Sequence, residues 1–142
     1  MEKTSTLASP PSLEDVPPGY KRTEAGVIPE EWETRTLREI GHCLIGLTYD
    51  PSNVTSDGLL VLRSSNIGNG ILEFQDNVFV NVKVPERIIV RDGDLLICVR
   101  NGSRQLIGKC ALIDKRAEDM TFGAFMSVFR SPHNRFVFYC FQ

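Results

Sequence analysis

The sequence predicts a β-rich fold in which helices are few and short. Short runs of apolar or alternating residues recur along most of the chain, and this pattern is typical of strands. The predicted strands are residues 59–62, 77–80, 87–90, 95–100, 109–113 and 124–129. Segments that favour tight turns separate them: Asp57-Gly58, Gly68-Asn69-Gly70, Asp92-Gly93 and Asn101-Gly102. Strands and helices do not alternate, so a doubly wound parallel sheet is not expected.

Two further segments carry helical signals. Thr36 is a candidate N-cap for a single helical turn that Gly41 ends, because Glu39 completes a capping-box pattern with Thr36. Residues 135–142 are aromatic and apolar, and this short run fits either a helix or a strand. The expected helical content is small in both cases.

The length of the chain gives room for a single domain with one core. Residues 1–18 are rich in proline, serine and threonine, and we expect them to form a flexible leader. An extended arm follows over residues 19–32, because Gly26 and Pro29 favour turns over a helix. The predicted domain therefore spans residues 19–142.

The composition is ordinary for a soluble globular protein, with 42% hydrophobic and 24% charged residues. No apolar run approaches the roughly 20 residues of a membrane span, and the N-terminus lacks the apolar region of a secretory signal. We therefore expect a cytoplasmic protein without membrane contact. The net charge of −2 argues against nucleic-acid binding by bulk attraction, although residues 42–142 carry 11 basic and 10 acidic residues and have room for a basic face.

Signatures of catalysis, cofactor binding and metal binding are missing from the sequence. It contains no dinucleotide or phosphate loop, no HExxH and no GxSxG. His42 and His133 are far apart and have no partner pattern. The cysteines form no CxxC pair and no spacing that suits zinc: Cys43, Cys98, Cys110 and Cys140. We therefore predict no catalytic residues, no cofactor and no metal ligands.

A first cluster of polar residues follows the predicted strand 59–62. It consists of Arg63, Ser64, Ser65 and Asn66. Arginine pairs bidentately with guanine, asparagine with adenine, and serine hydroxyls suit phosphate, so these side chains are candidate DNA contacts. The alternative is a polar turn after a strand, in which Asn66 bonds to nearby backbone.

A second cluster follows the apolar strand 95–100. It brings two arginines, two amides and a hydroxyl into six residues: Arg100, Asn101, Ser103, Arg104 and Gln105. The end of a strand is a rigid place for a recognition loop, and this set matches the contacts that phosphates and bases need. A hairpin with a type I′ turn at Asn101-Gly102 is the alternative. Lys109 is a further candidate phosphate contact.

Several segments of the chain also carry a family resemblance. They are the arm at residues 20–33, Leu37 and Ile40, and residues 62–67, 93–102, 108–111 and 121–124. In this order, the set resembles the N-terminal part of a type I restriction-modification specificity subunit. The resemblance extends over residues 19–142 and includes most of the first target recognition domain.

The resemblance implies an α+β fold like that of a target recognition domain, with twisted sheets and few short helices. It also implies a non-catalytic subunit that recognises double-stranded DNA, while partner modification subunits methylate the DNA and restriction subunits cleave it. A full specificity subunit has two recognition domains, each of which recognises one half of a bipartite site. The expected DNA contacts are Arg63, Ser64, Ser65, Asn66, Arg100, Asn101, Ser103, Arg104, Gln105 and Lys109.

Two further expectations concern the C-terminal part of the chain. Residues 19–142 should form a partial first recognition domain that stops before the spacer helix of the family. Four aromatic residues lie close to the C-terminus: Phe136, Phe138, Tyr139 and Phe141. They favour an alternative function, a protein-interaction module that self-associates or binds a modification subunit without specific DNA binding of its own.

Overall fold

The computed structural model describes residues 16–142, and these residues form two compact units that divide after Thr36. The predicted flexible leader, residues 1–18, lies almost wholly outside the described residues. The predicted α+β fold with twisted sheets and few short helices is confirmed.

The first unit contains a β-hairpin. Strands β1 (Tyr20–Thr23) and β2 (Gly26–Pro29) pair in antiparallel fashion around a two-residue turn. The hydroxyl of Thr23 accepts a hydrogen bond from the backbone N–H of Ala25 and donates one to the carbonyl oxygen of Gly26. Gly26 has a φ of +111°, which a residue with a Cβ rarely adopts. The predicted extended arm is thus a hairpin, with the turn near Gly26.

The second unit is built from short strands and two helices. In chain order these are α1 (Leu37–Ile40), β3 (His42–Ile45), β4 (Val54–Thr55), β5 (Leu59–Leu62), β6 (Ile67–Gly68), β7 (Ile71–Leu72), β8 (Val78–Val80), β9 (Leu95–Cys98), β10 (Cys110–Leu112), β11 (Thr121–Phe122), β12 (Met126–Arg130) and α2 (Asn134–Cys140).

Ten strands of this unit form three sheets. The first sheet has the order β10-β9-β12-β3 and is antiparallel throughout. The second has the order β11-β5-β8-β4, in which β11 and β5 are parallel and the other pairs are antiparallel. Strands β6 and β7 form a separate two-stranded hairpin.

The two four-stranded sheets share one hydrophobic core. Leu60 and Leu62 from the second sheet belong to the same buried cluster as Leu96, Cys98 and Val128 from the first sheet. A smaller buried cluster, which includes Val137, packs α2 against the first sheet. Burial of this apolar surface is the main source of folding free energy in the unit.

The chain crosses from the second sheet to the first at Gly123, between β11 and β12. Leu47 pairs with Gly123 there: its N–H donates to the carbonyl oxygen of Phe122 at 2.7 Å, and its carbonyl oxygen accepts from Ala124 at 3.0 Å. A Cβ at Gly46 would collide with the carbonyl oxygen of Gly123. Only glycine at residue 46 permits this close approach of the two backbones.

Most predicted strands are present within two residues of the predicted bounds, but the strand predicted at residues 87–90 is wrong. Residues Glu86–Ile88 form a 3₁₀ turn that begins after Pro85, with the N–H of Ile88 bonded to the carbonyl oxygen of Pro85 at 3.1 Å. Ile88 and Val90 are buried in the shared core. Their apolar side chains therefore pack in the core, although their main chain does not form a strand.

Both segments that carried helical signals form short helices. The predicted turn at residues 36–40 is the helix α1. The C-terminal run, for which helix and strand were both open, forms α2. This helix buries Val137 and exposes Phe136 and Tyr139.

A buried ion pair joins the start of β9 to the end of β12. The guanidinium of Arg130 donates two hydrogen bonds to the carboxylate of Asp94, at 2.8 and 2.7 Å, and a third to the carbonyl oxygen of Ile89 at 3.1 Å. Asp94 also accepts the backbone N–H of Arg91 at 2.8 Å. The carboxylate of Asp94 raises the pKa of Arg130 through these hydrogen bonds, so Arg130 stays charged.

We predict that Asp94→Ala lowers the free energy of unfolding by about 3–5 kcal/mol, because Arg130 would remain as a buried charge without its partner. Asp114→Ala is the matched control, since Asp114 pairs with Arg116 at the surface. The control should cost less than about 1 kcal/mol. Urea denaturation of the two variants measures the difference, and equal losses would contradict a structural role for the buried pair.

Candidate functional site

The carboxyl ends of four strands meet at the crossing between the two sheets. β3 and β9 both run antiparallel to β12, and their last residues, Ile45 and Cys98, lie opposite the start of β12. β5 and β11 are parallel neighbours. Because the chain passes from β11 into β12 at Gly123, the segments that follow all four strands converge around this point.

These segments enclose a groove of about 480 Å³, within the usual size range of ligand sites. We call it the strand-end groove. It is lined by Leu47, Thr48, Tyr49, Arg63, Ser64, Ser65, Arg100, Asn101, Gly123, Ala124, Phe125 and Met126. The lining includes two arginines and no acidic residue, so the groove suits an anionic ligand.

The two polar clusters predicted from the sequence come together in this groove. The side-chain amide of Asn101 donates a hydrogen bond to the hydroxyl of Ser64 at 3.0 Å, across 37 positions of sequence. Asn101 also accepts the backbone N–H of Ser103 at 2.9 Å, which orders the loop after β9. The clusters at Arg63 and Arg100 are therefore two walls of one site.

Arg63 is held in place by a neighbouring acidic residue. Its Nη2 lies 3.1 Å from the carboxylate of Asp76 and donates to the backbone carbonyl oxygen of Asp76 at 3.3 Å. Its side chain is one-third exposed, and Asp76 is outside the groove lining. These contacts hold one end of the guanidinium, while the side chain stays partly exposed beside the groove.

Arg100 is much less restrained. Its backbone N–H donates to the carbonyl oxygen of Phe125 at 3.0 Å, which fixes the main chain at the edge of the groove. The residue is exposed, and its guanidinium makes no hydrogen bond or ion pair with the residues that the structure describes. Arg63 and Arg100 thus present the same charged group with different freedom.

Asn66 is buried and stabilises its turn through hydrogen bonds. Its side chain is fully buried, accepts the backbone N–H of Arg63 at 2.9 Å, and donates to the carbonyl oxygen of Glu73 at 2.9 Å and to Asn77 Oδ1 at 3.1 Å. No part of it is accessible to a ligand. This position favours the alternative, in which Asn66 organises the turn that carries Arg63, and a DNA contact by Asn66 stays a prediction.

The remaining candidate residues lie outside the strand-end groove. Ser103, Arg104 and Gln105 are exposed on the loop between β9 and β10, where residues Arg104–Leu106 form a 3₁₀ turn. The connection is thus longer than the type I′ hairpin considered at Asn101-Gly102. Lys109 lines a separate groove of about 280 Å³ beside α2.

Phe125 is a groove residue that the sequence did not single out. Its side chain is 62% exposed, whereas the neighbouring Met126 is buried. Within a predicted strand of apolar residues, no local signal distinguishes an outward-facing phenylalanine from a core residue. The segment 121–124 carried part of the family resemblance, and this was the signal nearest to Phe125 in the chain.

Other chemistry in the described residues is limited. Among residues 16–142, no group of three or more histidine, cysteine or acidic side chains is arranged to hold a metal ion. Burial raises the pKa of the Cys98 and Cys110 thiols, so these cysteines are poor nucleophiles. No helix in this part of the chain is long and apolar enough to cross a membrane.

Three relatives are similar to the chain in sequence. The specificity subunit of the type I restriction enzyme StySPI from Salmonella potsdam is 30% identical over 110 residues, which cover 74% of this chain and 24% of the relative. The EcoKI specificity subunit from Escherichia coli strain K12 is 32% identical over 111 residues, or 75% of this chain and 24% of the relative. The third relative is the specificity subunit of the type I restriction enzyme MjaVIII from Methanocaldococcus jannaschii.

The MjaVIII subunit is 28% identical over 94 residues, which cover 63% of this chain and 21% of the relative. No family model matches the sequence. The three similar proteins come from two bacteria and an archaeon, and all are named as specificity subunits of type I restriction enzymes. The chain spans about a quarter of the length of the relatives it matches.

We predict that Asn66→Ala destabilises the unit that begins at Leu37. The change leaves partly buried backbone groups of Arg63 and Glu73 without their partner, at up to about 1–3 kcal/mol for each group. Ser65→Ala is the control, because Ser65 is exposed in the same turn. Thermal unfolding measures both variants. An Asn66→Ala variant as stable as the control would contradict the structural position of Asn66.

Proposed function

We propose that this chain, which is related to type I restriction enzyme specificity subunits over three quarters of its length, recognises a DNA sequence without catalysing a reaction. In this proposal it acts in the cytoplasm and directs methylation and cleavage by partner modification and restriction subunits. The observation that carries the proposal is the strand-end groove, where two arginines from distant segments share one lining without an acidic residue.

The different restraint of the two arginines supports two kinds of DNA contact. A base edge presents its acceptors in a fixed geometry, so an arginine that recognises guanine gains from being held in one orientation. Arg63 is held in this way by Asp76. A phosphate accepts contacts from many directions, and an exposed guanidinium such as that of Arg100 suits it. We therefore propose that Arg63 recognises a base and Arg100 contacts the DNA backbone.

The groove also explains how an acidic chain would bind DNA. The net charge of −2 gives no general attraction to a polyanion, so binding has to depend on local charge. In the groove, Ser64, Ser65 and Asn101 add neutral hydrogen-bonding groups to the two arginines. We propose that Ser103, Arg104 and Gln105, exposed on the adjoining loop, extend the contact to neighbouring phosphates, and that Lys109 adds a weaker contact beside α2.

The chain covers about a quarter of the length of its relatives, so the proposal concerns only part of their activity. Residues 19–142 would form a partial target recognition domain and recognise at most one half of a bipartite site. Docking to a modification subunit would supply the remaining contacts and the methyl-transfer chemistry. We therefore expect stronger and more selective DNA binding when a type I modification subunit is present.

A second candidate function is a protein-interaction module. Phe136 and Tyr139, one turn apart in α2, are 69% and 76% exposed. Aromatic residues that lie together on one exposed face are typical of protein interfaces. A chain that self-associates or binds a modification subunit, and shows no specific binding to duplex DNA, would support this second function.

We predict that Arg63→Ala and Arg100→Ala weaken duplex binding in different ways. Arg100→Ala should weaken binding to all sequences and reduce the slope of log affinity against log salt by about 1, because one phosphate contact is lost. Arg63→Ala should relax the preference at one base pair, with a cost of about 1–3 kcal/mol on the preferred sequence. Selection from a random duplex library, followed by fluorescence anisotropy at two salt concentrations with and without a type I modification subunit, measures both.

Arg87→Ala is the matched control for the two variants. Arg87 is exposed and lies outside the groove lining, so its removal changes the net charge equally without removing a groove contact. Equal effects of all three substitutions would contradict a DNA contact at the groove. Absence of duplex binding by the unsubstituted chain, at low salt and with the modification subunit, would contradict the proposed function itself.

A further inference from the structure

An exposed apolar side chain lies in the strand-end groove together with the two arginines. Phe125 is 62% exposed, although both apolar side chains nearest to it in β11 and β12, Phe122 and Met126, are buried. Its backbone is well fixed: the carbonyl oxygen accepts the N–H groups of Val99 at 3.1 Å and Arg100 at 3.0 Å. The main chain at Phe125 is thus fixed, and its exposed ring lines the groove.

Val99 is a second exposed apolar residue whose main chain contacts that of Phe125. It is 45% exposed, and its N–H shares the Phe125 carbonyl oxygen with Arg100. Isolated apolar residues are common on protein surfaces and require no explanation. An exposed aromatic ring that lines the same groove as two arginines is different, because DNA bound in that groove would lie against the ring.

The chemistry of DNA limits what such a ring can contact. Base edges in the major groove carry hydrogen-bond donors and acceptors, and the one apolar group among the four bases is the 5-methyl group of thymine. Stacking of the ring on a base requires the base pairs to unstack, which is unfavourable. Contact with the methyl group requires no distortion of the duplex.

We propose that Phe125 is a specificity-determining residue that contacts the 5-methyl group of a thymine, close to the base pair that Arg63 recognises. This inference rests on the proposed function, since it requires duplex DNA in the strand-end groove. It adds the recognition of a particular chemical group by a residue outside the two polar clusters. The recognised half-site then contains at least one thymine that is distinguished from cytosine by its methyl group.

The test removes the methyl group from the DNA while leaving every hydrogen bond in place. A duplex selected from a random library with the unsubstituted chain is resynthesised with deoxyuridine at each thymine in turn. At one position, uracil should weaken binding about fourfold, because burial of one methyl-sized group contributes about 0.8 kcal/mol. The other thymines should tolerate uracil with unchanged affinity.

The same duplexes are then measured with variants of the protein. Phe125→Ala should bind thymine and uracil equally at the sensitive position, whereas Phe125→Leu should retain most of the discrimination. Ile71→Ala is the matched control, since Ile71 is 61% exposed and lies outside the groove lining. This control should keep the full discrimination. Circular dichroism checks that each variant is folded, and the measurements on the unsubstituted chain do not depend on any variant.

Each result bears on the inference separately from the proposed function. Selective, salt-sensitive binding that is indifferent to uracil at every thymine would overturn the inference and leave the proposed function intact, as would a selected site without thymine. Tighter binding to a mismatched pair that Phe125→Ala loses, combined with indifference to uracil, would show that Phe125 stacks on a base and would also overturn it. Absence of duplex binding would overturn both.

Discussion

The crossing of the chain between its two main sheets is the constraint on which the rest of the structure depends. At this point the backbone of Leu47 pairs with that of Gly123, and Gly46 has no side chain because the neighbouring carbonyl groups occupy the space. The crossing lets side chains from both sheets share one core. It also brings the carboxyl ends of four strands to one place. The groove is therefore a direct consequence of how the sheets are joined.

The same geometry explains why the two arginines of the groove, Arg63 and Arg100, follow directly after strands whose main chain is fixed by the sheets. Strand ends fix the main chain at Arg63 and Arg100, and buried polar contacts fix it further. The buried amide of Asn66 holds the turn after β5, while Asn101 and Ser64 join the two walls. Stability and the proposed DNA recognition are thus divided among neighbouring residues. Asn66 provides hydrogen bonds within the fold, and the arginine three positions before it remains partly open to a ligand.

Local patterns in the sequence predicted the strands better than the site. The run at residues 59–62 was predicted with its observed bounds, since a short apolar segment between turn signals identifies a buried strand. Residues 87–90 have a similar pattern but form a turn, because Ile88 and Val90 reach the core without a strand partner. The hydrogen bond between Ser64 and Asn101 depends on a crossing distant in sequence. The sequence also could not identify Phe125 as exposed, because no local pattern distinguishes it from the core residues of the same predicted strand.

The most direct test of the account is to map which residues respond when duplex DNA binds. Amide ¹H–¹⁵N spectra of the 142-residue chain would be recorded during titration with a duplex selected for binding. We predict that the amide signals of residues 47–49, 63–65, 99–101 and 123–125 shift together at one affinity, since all four segments border the same groove. Shifts confined to α2 and the residues after it, with these four segments unchanged, would contradict it.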